Sequence, residues 1–190
     1  MEKPIGKDIR MQRNTILTLA IFLPISTFAS DPMAPETLFS YQDFTSDLDV
    51  TSLEPHDQSR VWSTCAVVHD LVALFDKEGL ESPSAQESKN QSRGAKLASW
   101  MVFVADYLKS SEDPSPAEFS AKWQMGKMIM DSNFETTKTS IVADLDGNPE
   151  ETLKKIVPTY QYCLNVLPVQ QTYIDLWREM YGSGLVQSDS

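Results

Sequence analysis

The chain is short of the residues that most often do chemistry. With two histidines and two cysteines in 190 residues, a histidine-based metal site is short of nitrogen ligands. There is no Gly-x-Ser-x-Gly elbow, which excludes the hydrolase nucleophile that such a turn presents, and the seven glycines form no loop able to cradle phosphate. No segment alternates apolar and polar residues for long enough to read as a strand. No apolar run reaches the ~20 residues of a membrane-spanning helix. Basic residues are also scarce, 16 against 27 acidic, for a net charge of -11. A field of that sign repels phosphate backbones and anionic lipid, and it steers basic protein partners inward.

What the chain does have begins with an export signal. Lys3, Lys7, Arg10 and Arg13 form a positive leader, Thr15 to Ile25 is an apolar run, and Thr27-Phe28-Ala29 offers a small-x-small cleavage site. Residues 1–30 therefore read as a signal peptide cut near Ala29 and Ser30, with Met11 an alternative start. Pro24 and Asp31 close the run early, as a spanning helix would not. Removing the leader takes away four basic and two acidic residues, so the mature chain carries 12 against 25, a net of -13. A periplasmic or secreted compartment favours pairing of Cys65 with Cys163. A link across 98 positions would stabilise by roughly 4 to 5 kcal/mol on the chain-entropy account.

The mature chain reads as one all-α domain of about five helices in an orthogonal or bundle-like set. Residues 31–57, with Pro32, Pro35, Pro55 and scattered aromatics, are expected to be an extended arm, and 58–182 the helical domain. From Gln58 to Glu78, Val61, Cys65, Val68, Val72 and Phe75 recur three and four apart, and Trp62, Ala66, Leu71 and Leu74 widen the stripe, marking a central helix that Gly79 stops. Ser84-Ala85-Gln86-Glu87 is a capping box for a second helix. Its polar opening projects into solvent as an arm or docking edge, and Leu97, Trp100, Met101, Val104 and Leu108 pack its later half, with Gly94 weakening the middle. Ser115-Pro116-Ala117-Glu118 caps a third helix lined by Phe119, Trp123 and Met130.

Between Asn133 and Asp144 a short helix and a loop fit equally. Asn148-Pro149-Glu150-Glu151 caps a fourth helix through Leu153, Ile156, Val157, Tyr160 and Leu164, which Pro158 should kink or split. Pro168 opens the last helix through Tyr173, Trp177 and Met180, Gly182 ends it, and the tail 183–190 is expected to be disordered.

Each candidate for chemistry has a simpler explanation. His69-Asp70 lacks further nitrogen ligands, His56 being the other histidine and preceding the same helix. Cys65 and His69 share a helix face, as a thiol and its base would, but a disulfide removes the nucleophile. Laying a twelve-position calcium loop over Asp144-Leu145-Asp146-Gly147-Asn148 puts Val142 and Leu153 where oxygen donors belong, so the segment reads as a turn. Glu150 and Glu151 suit the start of a helix. No catalytic residue, metal or cofactor is expected. Trp123, Met125 and Met128 crowd soft side chains onto one helix and form the candidate partner surface. In a eukaryotic host, Asn90-Gln91-Ser92 would be a glycosylation acceptor.

The leader, the segment Trp62-Ser63-Thr64-Cys65-Ala66 in the first helix, and Tyr162-Cys163 five residues before Pro168 together resemble the layout of two kinds of small exported helical protein. One is the periplasmic immunity proteins that block cell-wall amidases delivered by type VI secretion; the other is the periplasmic acid-stress chaperones. The resemblance covers helix order and cysteine placement over about two thirds of the chain and carries no site residue across. It implies a non-enzymatic protein-binding function, as an inhibitor of a cell-envelope enzyme or as a chaperone opened by acid. The partner is expected to be a protein of basic character, and self-association is compatible with it. An enzyme built around Cys65 and His69 is the remaining reading.

Overall fold

The computed structural model describes residues 47–112 and 115–184. The leader, most of the arm and the tail beyond residue 184 lie outside the described residues. After a single 3-10 turn at Val50–Ser52 come five helices: α1 (Pro55–Leu74), α2 (Pro83–Ser110), α3 (Pro116–Gly147), α4 (Pro149–Asn165) and α5 (Leu167–Gly182). No strand occurs among the described residues, so the chain is all-α. All five helices carry proline in their first two positions, where its fixed φ suits the helix and the missing N–H would have had no helical partner. Side-chain caps complete three of these starts. Ser82 accepts from the Ala85 amide at 3.0 Å, Ser115 from Glu118 at 3.2 Å and Asn148 from Glu151 at 3.4 Å.

Helix α1 is the axis of the domain. Residues 61–69 are buried without interruption, so the helix is enclosed on its whole circumference rather than along the stripe that periodicity suggests. It begins three residues earlier than expected, at Pro55, and ends earlier too, with Phe75 as its C-cap. Gly79 belongs to the following loop, at a φ of 90° that other residues rarely adopt. Ser82, two residues before the expected cap, starts α2; the Ser84 hydroxyl instead donates to the Asp76 carboxylate.

The opening of α2 is not a solvated arm. Ala85, Ser88, Ser92, Gly94 and Ala95 are buried, a face of small residues that lets neighbouring helices approach closely. Gly94 is where α5 comes nearest: a Cβ there would lie 2.3 Å from Gln170 Nε2. The glycine is a contact point rather than a weak place. Gly126 in α3 plays the same part against α2, since a Cβ would lie 2.8 Å from the Trp100 carbonyl oxygen.

Helix α3 runs unbroken through 133–144, the segment whose sequence fitted a helix or a loop. Phe134 and Ile141 are the anchors that hold it down. Pro158 does not split α4. The carbonyl it leaves without a donor belongs to Lys154, and both residues are exposed, so water can take the missing place.

Cys65 and Cys163 are joined by a disulfide with their Cα atoms 5.4 Å apart. It fixes α4 antiparallel to α1, and the His69 and Tyr160 rings meet edge-on at 5.4 Å one turn further along. The main core surrounds α1 with Val61, Trp62, Val68, Phe103, Ile141 and Ile156 among its members. A smaller cluster of Met101, Val104 and Met180 joins the far half of α2 to α3 and α5.

Candidate docking surface

The last turns of α1 form an apolar end that the other described residues leave uncovered. Among the described residues, eight large hydrophobic side chains are exposed, and six of them border two grooves on either side of that end. Leu71 is common to both grooves. Towards α4, Phe75, Leu153 and Val157 flank an open groove of about 760 Å³ floored by Ile156 and Tyr160. Towards α2 and α3, Leu74, Leu80 and Val142 border one of about 660 Å³ floored by Phe134. Phe75 and Val157 are each 65% exposed. Monomers do expose single apolar residues, but contiguous ones mark interaction sites.

The loop that carries Leu80 is pinned by Asp76. Its carboxylate accepts from the Ser84 hydroxyl and from the Glu78 amide, and those hydrogen bonds hold its pKa below the usual carboxylate range. The rims of the grooves differ in charge. Asp76 lines the α4 side, with Glu150 and Glu151 at the start of that helix, where Lys154 pairs with both at 3.1 and 2.9 Å. On the other side, Lys89 and Lys138 line the groove beside Asp70. Asp70 pairs with Lys96 at 3.5 Å, and that ammonium also sits 3.6 Å from the centre of the Phe134 ring.

Beneath this end lies His69, fully buried, with no hydrogen-bond partner at either ring nitrogen. Burial lowers its pKa from 6.5 to about 4, against a smaller raising effect of the Asp70 charge. It is a neutral core residue at pH 7. Cys65, its neighbour on the same face, is locked in the disulfide and offers no thiol. His56 is exposed at the opposite end of α1, against the edge of Phe103. Among the described residues no group of three or more histidine, cysteine, aspartate or glutamate side chains gathers in a way that could hold a metal.

The surface expected at Trp123, Met125 and Met128 is divided by the fold. Trp123 is half-buried between Trp100 at 4.1 Å and Phe119 at 6.1 Å, and its carbonyl accepts from Trp100 Nε1 at 2.8 Å. Met125 packs on the main core, and Met128 is exposed. The apolar end at α1 was missed because Leu74, Phe75, Leu153 and Val157 fall at helical spacing and read as core. No protein family, curated protein or solved structure matches the chain.

Proposed function

We propose that the protein is an exported, non-enzymatic protein-binding protein that grips its partner with the open end of α1 and the adjoining face of α4. The observation that carries this reading is the clustering of three exposed large hydrophobics, Phe75, Leu153 and Val157, around one groove between α1 and α4. Phe75, Leu153 and Val157 offer an apolar centre, and Asp76 sets a carboxylate at its edge, suiting a partner segment that alternates apolar and basic residues. The intramolecular disulfide, and the absence of any described helix long and apolar enough to cross a membrane, are compatible with export. An inhibitor of a cell-envelope enzyme is one of the two forms of this function that the layout resemblance implies.

The test is capture of envelope proteins by the mature chain, compared with the double variant Phe75→Asp and Val157→Asp, whose fold is checked by circular dichroism. Hot-spot losses predict that the partner retained by the native chain is bound more than about 30-fold more weakly by the variant. Equal retention by both would overturn the assignment to α1 and α4. Loss on Met128→Asp instead would move the surface to α3.

His69 favours a second reading, a chaperone released by acid. Its charging below neutral pH would press on the contact between α1 and α4, where Tyr160 faces it and Asp70 adjoins it. Suppression of client aggregation at pH 4 but not at pH 7, lost in His69→Phe, is the expected outcome. No suppression at either pH would remove it.

A further inference from the structure

We propose that the groove between α1, α2 and α3 binds one molecule of a medium-chain anionic amphiphile, a carboxylate with a single alkyl tail. The groove adjoins the proposed protein-docking face and shares Leu71 with it, but its lysines lie outside that face, so the two readings can fail separately. Its walls are apolar: Leu71 and Phe134 form the floor, and Leu74, Leu80 and Val142 stand exposed around it. The enclosed part measures about 250 Å³, below the ~300–1,000 Å³ usual for drug-sized ligands, so the occupant is a narrow one.

The charge at this groove runs against that of the whole chain. Lys89 and Lys138 line it, and the single carboxylate among the lining residues, Asp70, is paired with Lys96. Lys89 donates to the Leu80 carbonyl oxygen at 3.2 Å, which keeps two of its three N–H donors for other partners. Lys138 approaches the Phe134 ring, at 6.0 Å. An apolar trough with two ammonium groups at its border suits an acid head and a hydrocarbon tail together. A cationic or neutral amphiphile would leave those ammonium groups unanswered. The net negative charge of the chain does not forbid an anion here, because at physiological salt charges beyond ~8 Å are largely screened.

The experiment is calorimetric titration of the mature chain with decanoate, decanol and decyltrimethylammonium, each below its micelle concentration. Decanoate should bind with a stoichiometry of one and about ten-fold more tightly than either of the others. The Lys89→Gln and Lys138→Gln double variant should bring decanoate down to the level of decanol and leave decanol unchanged. These lysines are at the surface, and an unchanged melting temperature verifies the fold. Equal affinity for the three probes would overturn the proposal, as would decanoate binding indifferent to the two substitutions. Uptake of many molecules per chain, or binding only to anionic vesicles, would also overturn it.

Discussion

The two ends of α1 are built on opposite rules. At the first, buried polar groups are tied into neighbours: the Ser59, Ser63 and Ser99 hydroxyls lie 2.7 and 2.9 Å apart, and Ser99 also contacts the Ser59 carbonyl at 2.9 Å. Asn133 donates to Ser59 at 3.1 Å, and Tyr173 to Gln58 at 2.7 Å, so α2, α3 and α5 are all fastened there. Trp62 Nε1 is an exception, buried with no partner. At the second end a buried histidine has no partner and the surrounding helices leave grooves open. A connected polar network favours one arrangement of helices, whereas an apolar end with gaps can accept something else. The difference sets the interlocked contacts in the first half of the helix and the proposed binding in the second.

Cys65 stands between the two ends, and its removal should cause the largest change. Replacing Cys65 and Cys163 by serine together frees α4 and opens a 98-residue loop. The expected loss is about 4 kcal/mol, read as a lower urea midpoint. A loss below about 1 kcal/mol would mean that the helix contacts alone hold α4 against α1.

The next effect concerns the unsatisfied end and its response to acid. Because the His69 pKa is about 4 in the folded protein against 6.5 as the reference, the unfolded chain binds the proton more readily. Stability therefore falls as pH drops from 6.5 towards 4, and below that the full penalty of about 3 kcal/mol applies. His69→Phe keeps a ring beside Tyr160 and removes the proton, so its denaturation midpoint should vary less with pH over this window. Identical pH profiles for the two proteins would show that the carboxylates govern acid sensitivity.

At the satisfied end, Ser99→Ala removes a hydroxyl shared by two serines and leaves their groups buried with fewer partners. The cost should be about 2 kcal/mol at every pH, with no effect on binding at the far end of α1. A pH-dependent cost would couple the two ends and break the contrast.

The helix starts were legible because a serine or asparagine followed by proline is a local signal: Ser115-Pro116 and Asn148-Pro149 open helices where expected. The pairing of the two cysteines was legible from composition and the expected compartment. Close packing was not legible. Gly94 was read as a weakness and the polar start of α2 as solvated, because small residues carry no hydrophobic signal of their own. The burial of Ser88, Ser92 and Ala95, with the approach of Gln170 to Gly94, shows that this face is turned inward. Nor could periodicity separate Leu74 and Phe75 from the core residues preceding them, since the stripe continues and the cover does not. The docking end is a property of how far the neighbouring helices reach, which no single segment encodes.

The smallest expected effect on stability is the most informative about function. Phe75 and Val157 are 65% exposed, so little apolar contact is lost when they become polar, and surface changes away from buried features stay within about 0.5 kcal/mol. Phe75→Ser with Val157→Ser should leave the urea midpoint almost unmoved while weakening partner binding. In a side chain that served the core, the two losses would go together. If the double substitution lowered stability by 2 kcal/mol or more, the exposed end would belong to the folding unit, and the difference between the two halves of α1 would be one of degree. If stability stayed and binding fell, the end of α1 would be shaped for a partner outside the chain.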